Sequence, residues 1–314
     1  MINWQLRALV LCYWRVGSQL QILNIVPCHI LYNSEKSMYH YRLVISYKGS
    51  QYFGWQDLGE AESKLTVQGL INTVLSKICK QKNFQLSAAS RTDAGVHALG
   101  QVAKLSMALQ IDPNKLQLGM NSLLPEDIRI RRCETCQPDF NPNKDSKRKI
   151  YRYYFSVDEV SSPILNDVVA QVRVAHTGFD QRRAAKVKVI GEQQTLKTLD
   201  FELIKQACQL FVGKQDFYNF ATRDASITST VRQVFVFELA KAQWSDLGNE
   251  VYYFEIQGNG FLRQMIRYMV AALFEIGRGN LSLTDIEKAL GSHAQEKLCA
   301  KAKPHGLHLI EISY

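Results

Sequence analysis

Residues 39–47, Tyr39-His40-Tyr41-Arg42-Leu43-Val44-Ile45-Ser46-Tyr47, alternate strictly, so Tyr41, Leu43, Ile45 and Tyr47 share one face. That two-residue period predicts a half-buried strand. Lys48-Gly49-Ser50 follows as a turn. Val67, Leu70, Ile71, Val74, Leu75 and Ile78 then recur at helical spacing behind Thr66, a good N-cap. Outward from this strand–turn–helix unit, short strands are predicted at Val102–Leu105 and Ile128–Arg132. A helix is predicted to start at Pro113, with Asp112 as its cap.

After a polar stretch, Pro138 to Ser146, the mixture repeats. Lys149 to Phe155 reads as a strand, and a helix is predicted from about Asp200 to Phe211 with Gly213 as its C-cap. Strands follow at Val231–Leu239 and Val251–Ile256. A helix beyond Gly258-Asn259-Gly260 presents Met265, Ile266, Met269, Val270, Leu273 and Phe274 on one face, and Leu307–Ser313 forms a last strand. The expected class is α+β: two related domains, each a mostly antiparallel sheet with helices on one side, enclosing a central cleft. Their expected extents are 38–145 and 146–314, the second carrying a basic surface insertion at 176–197.

The 314 residues carry a net charge of +9, with 46% hydrophobic and 21% charged side chains, which excludes a disordered chain. Seven cysteines are too few for a disulfide scaffold and point to reduced thiols in a cytoplasmic setting. Residues 1–37 differ from the remainder. No acid occurs before Glu35, and the apolar run Ala8–Trp14 is far short of the ~20 residues of a membrane span. Met38 is the expected natural start and 1–37 an extension without a functional part; a mitochondrial presequence is the alternative.

Ser90-Arg91-Thr92-Asp93-Ala94-Gly95-Val96-His97 concentrates an acid, a base and an imidazole between small residues. On spacing alone it reads equally as an Asx-type turn with Gly95 at positive φ. Its company decides. Tyr47 to Gln56, Thr66-Val67-Gln68, Asn121 to Ile128, Asp139-Phe140-Asn141, Tyr151-Arg152-Tyr153, Asp216-Phe217, Gly260-Phe261 and Gly306-Leu307 accompany it in order. With these the chain after Met38 resembles the TruA-type tRNA pseudouridine synthases.

The resemblance implies an isomerase that breaks the uracil N1–C1′ bond and rejoins the base through C5, in the anticodon arm of tRNA. It implies Asp93 as the nucleophilic carboxylate and Arg91 as the arginine that helps extrude the nucleotide. Tyr151 would lie against the base, and Arg267 would pair with the carboxylate. Phe261 and Leu309 would wall the pocket, while Arg148 and Lys149 are expected to contact RNA on the strength of the local positive charge alone. A homodimer and a cytoplasmic location are implied too. The reaction needs no cofactor. The sequence offers no GxGxxG after a strand and no P-loop, and Cys133-x-x-Cys136 lacks a second ligand pair.

Two basic clusters, Arg129/Arg131/Arg132 and Lys144/Lys147/Arg148/Lys149/Arg152, are expected to meet phosphates. Four features depart from the family pattern. Lys48 stands for an Asp, Ser90 for a Gly and Asn143 for an Arg, and the 176–197 loop is long. A tRNA-binding or folding protein with little turnover, or a synthase with another RNA target, are the alternative functions.

Overall fold

The computed structural model describes residues 15–16, 19–20, 38–57, 59, 65–80, 83–158, 162–172, 199–222, 227–244, 250–293 and 296–314. The basic insertion expected at 176–197 lies outside them. Residues 1–37 form a unit of their own, of which the described part is two short antiparallel strands, β1 (Arg15–Val16) and β2 (Gln19–Leu20).

Residues 38–314 build a second unit around one ten-stranded mixed sheet. From the first half come β3 (Tyr39–Tyr47), α1 (Val67–Cys79), β4 (Phe84–Ala88), β5 (His97–Met107), α2 (Pro113–Leu123) and β6 (Ile128–Thr135). From the second come β7 (Arg148–Ser156), β8 (Ala170–Gln171), α3 (Phe201–Leu210), β9 (Gly213–Asp216), β10 (Val231–Lys241), β11 (Val251–Gly258), α4 (Met265–Gly277), α5 (Leu283–Leu290) and β12 (Leu307–Ser313). The strand order is β6-β3-β5-β12-β7-β11-β10-β9, with β4 beside β5 and β8 beside β7. Most neighbours are antiparallel; β5–β12 and β7–β8 are parallel. The fold is α+β, as expected.

Local chemistry explains the elements. Tyr41, Leu43, Ile45 and Tyr47 are buried on one face of β3, in one core with Val67, Ile71, Val74 and Leu75 of α1 and Leu116 and Met120 of α2. The buried Thr66 caps α1 by accepting from the Gly69 N–H at 3.2 Å. Asp112 caps α2 by accepting from the N–H groups of Asn114 and Lys115. In the second half α4 is buried almost all round, and its Phe274 meets Tyr153, Phe155 and Phe254 edge-on or tilted.

Some boundaries differ from expectation. β5 begins at His97, so its first residues are strand rather than loop. α3 is closed at Phe211 in a right-handed conformation, and Gly213, at φ +111°, opens β9 instead of capping the helix. The strands β4 and β9 and the helix α5, which Ser282 and Asp285 begin with a capping box, add to the predicted elements.

Candidate active site

The sheet order brings distant segments together. β12 lies between β5 and β7 and pairs Leu309 with Ala98 on one side and with Tyr151 on the other. Tyr151 therefore stands two strand spacings, roughly 10 Å, from the start of β5. The segment 90–96 runs directly into that start.

Its turn is closed by the main chain, with Val96 N–H donating to the Asp93 carbonyl at 3.2 Å and Gly95 at φ +77°. Positive φ at the third residue is what such a turn demands of a glycine. The turn leaves the Asp93 carboxylate available. Its hydrogen-bond partner among the described residues is Arg267, whose Nη1 lies 3.4 Å from Asp93 Oδ2, across 174 residues of chain. The arginine side chain is 8% exposed and the aspartate 21%.

Arg267 sits in the first turn of α4 and is fixed by Ala302. Its Nε donates to the Ala302 carbonyl at 2.8 Å, and its own carbonyl accepts from the Ala302 N–H at 3.0 Å. A guanidinium so anchored can hold a carboxylate in a fixed orientation.

Behind the turn lies residues 52–55. Gly95 N–H donates to the Tyr52 carbonyl and Trp55 N–H to the Thr92 carbonyl, both at 3.1 Å. Gly54 has φ +93°, and a Cβ there would come within 2.6 Å of the Thr92 oxygen. The same segment meets the start of α1, where Val67 and Gln68 donate to the Gly54 and Trp55 carbonyls. Tyr47 Oη adds a buried hydrogen bond to Thr92 Oγ1 at 2.7 Å.

Tyr151 is buried, with Phe261 edge-on to its ring at 5.4 Å and Leu309 fully buried beside it. Burial, and the negative charge of Asp93 behind it, push its phenol up to about 12, against the pull of a Ser90 hydrogen bond. Asp93, Arg267, Tyr151, Phe261 and Leu309 are thus gathered at one place. Arg91 is exposed and, among the described residues, makes no hydrogen bond or ion pair with Asp93, Tyr151 or Arg267. Tyr153 turns its hydroxyl to the Lys303 carbonyl at 3.0 Å and is part of the core.

The two groups expected to meet RNA have other surroundings. Lys149 is 6% exposed, and its ammonium donates to the Ala89 carbonyl at 2.6 Å and Asn143 Oδ1 at 2.7 Å. Burial lowers its pKa to about 8. Asn143, the departure from an Arg, is an acceptor for this buried cation, where a second cation would repel it. Arg148 is exposed at the start of β7, bonded to Gln257 at 3.3 Å, and strand alternation points it away from the face of Tyr151. Arg152 shares its side and is paired with Glu255 at 2.8 Å. Sequence reading passed over Lys301 and Lys303, exposed residues that flank the Ala302 anchor of Arg267. It passed over the role of Ser90 as well, whose hydroxyl lies 2.7 Å from that of Tyr151. No group of His, Cys, Asp and Glu among the described residues could hold a metal ion.

A family model described as tRNA pseudouridine synthase matches residues 43–143 and 207–314, which include Asp93, Arg267, Phe261 and Leu309 but not Tyr151. The "tRNA pseudouridine synthase A 2" of Desulfotalea psychrophila is 39% identical over 278 residues, covering 88% of this chain and 98% of the relative. The "tRNA pseudouridine synthase A" of Thermodesulfovibrio yellowstonii is 34% identical over 283 residues, covering 88% and 100%. That of Limosilactobacillus fermentum is 30% identical over 280 residues, covering 88% and 96%. Matching both halves of the sheet and sharing this identity over nearly the full length of such relatives, the chain belongs to the tRNA pseudouridine synthase family.

Proposed function

We propose that this synthase isomerises uridine to pseudouridine in the anticodon arm of tRNA, with Asp93 as the nucleophilic carboxylate. The observation that carries the reading is the Asp93–Arg267 pair, enclosed but not sealed, beside the phenol of Tyr151. The reaction separates uracil N1 from ribose C1′, joins C1′ to C5, moves a proton off C5 and returns one to N1. Atoms and electrons balance within the nucleotide and solvent, so acid–base and nucleophilic groups suffice.

In this reading Arg267 pairs with Asp93 and orients its carboxylate toward the nucleotide. Tyr151 lies against the flipped uracil and accepts its C5 proton, and Phe261 and Leu309 exclude water. Arg91 fills the place the nucleotide leaves, which offsets part of the few kcal/mol that unstacking costs. Arg91, two residues before Asp93, and Lys301 and Lys303, which flank the Ala302 anchor of its partner Arg267, are the first candidates for phosphate contact. The enzyme would act as a cytoplasmic homodimer, and its free cysteines fit a reducing compartment.

The test is incubation with unmodified tRNA followed by mapping of pseudouridine, for wild type and Asp93→Ala. Product in the anticodon arm from wild type alone, with tRNA binding kept in both, supports the reading. Equal binding without product from either overturns it in favour of an RNA-folding role.

A further inference from the structure

Ser90 is held in a way that its own hydroxyl does not explain. One fully buried side chain, Gln101, grips its backbone on both sides. The Ser90 N–H donates to Gln101 Oε1 at 3.2 Å, and Gln101 Nε2 donates to the Ser90 carbonyl at 2.6 Å. The preceding carbonyl, of Ala89, takes the Lys149 ammonium. With the loop fixed through main-chain atoms, the hydroxyl is left over, and it meets Tyr151 Oη at 2.7 Å. Lys149 and Tyr151 are alternate residues of β7, so adjacent loop residues dock on one face of that strand.

The pair leads outward. Tyr151 is 5% exposed, whereas Ser90 is half-buried. Tyr47 and Thr92 form a second hydroxyl pair nearby, but both are buried and offer no outlet.

We propose that Ser90 is a positioning residue for Tyr151, fixing the phenol oxygen and carrying its proton to solvent during isomerisation. The inference rests on the reading of Tyr151 as the acceptor of the C5 proton. Once C5 is joined to C1′, the C5–H bond breaks and its electron pair restores the C5–C6 double bond, while the C6–N1 double-bond pair returns to N1, which takes a proton from water. The proton goes to Tyr151 Oη as the phenol's own proton passes to Ser90 Oγ, and the serine proton leaves to water. A buried phenol is not ionised near neutral pH, so it can accept only while it donates. Ser90 is where that donation goes.

The experiment compares Ser90→Ala, Ser90→Thr and Tyr151→Phe with wild type in single and multiple turnover. The substrates are tRNA transcripts carrying protium or deuterium at uridine C5. Ser90→Ala keeps the main-chain clamp, which thermal unfolding verifies. It is expected to lower kcat about a hundredfold, the low end of what a placed proton carrier contributes, with KM unchanged. Its deuterium effect should exceed that of wild type, and Ser90→Thr should restore both. Wild-type rate and isotope effect in Ser90→Ala, with Tyr151→Phe slow, would overturn the role of Ser90 alone. Wild-type turnover in Tyr151→Phe would overturn the acceptor role of Tyr151 and the inference with it.

Discussion

Arg267 illustrates how much one side chain is asked to do. It joins α4 to the residue 302 segment through two bonds with Ala302 and presents its Nη1 to Asp93. Removing one member of a fully buried ion pair costs ~3–5 kcal/mol. Because Asp93 is 21% exposed, water relieves part of that here, and Arg267→Ala should cost about 2 kcal/mol. Urea unfolding measures this, and pseudouridine formation by the same variant should fall at least about a hundredfold. An unaltered rate would show that Asp93 does not depend on the pair. At this scale the sequence was partly legible. Asp93, Tyr151 and Arg267 were named from the family resemblance, and the structure brings the three together. Ser90 was not, because its partner lies 61 residues away and only the sheet register joins them. Lys149 misled for the same reason, since a lysine in a basic run says nothing of the carbonyl it meets when β7 is placed.

Among elements, the chain of support runs from α1 through residues 52–55 to the Asp93 turn. The helix start donates to Gly54 and Trp55, and that segment in turn brackets residues 92–95. Gly54→Ala would force a side chain into a left-handed conformation, costing about 1–2 kcal/mol, and against the Thr92 carbonyl, costing about 1–3 more. A lowered melting temperature and a larger loss of kcat than of tRNA binding are expected. If activity survived intact, the turn would have another support. The caps at Thr66 and Asp112 and the alternation of β3 were readable because each is a local rule. β4, β9 and α5 were not, being short elements whose formation depends on the neighbours they dock against.

Across the whole molecule, acid should loosen the junction of β5 and β12. His97 and His308 stack there at 4.5 Å, with His305, Lys48 and Asp167 around them. Burial lowers their pKa values to about 4 and about 3. Above pH ~6.5 both imidazoles are neutral folded or unfolded and contribute no pH dependence. As pH falls below that, the unfolded chain takes up protons the folded one refuses. Stability should drop by up to ~1.4 kcal/mol per pH unit for each imidazole, until their folded pKa values are reached. Urea midpoints between pH 7 and 4 should fall less steeply for His308→Gln than for wild type; parallel curves would acquit the pair. Binding of tRNA is a second property of the whole surface. Its log affinity should decline with log salt by about 0.7–0.9 per phosphate neutralised, and a flat response would deny the proposed basic rim.

β12 follows every other strand of the sheet in sequence yet fits into its middle. Until residues 307–313 have been synthesised, β5 and β7 have no common neighbour, and the sheet stays open between the strand that follows Asp93 and the one that carries Tyr151. A growing chain therefore holds Asp93 and Tyr151 before the strand that brings Leu309 between them exists, so the sheet around the site closes only as the last strand is made.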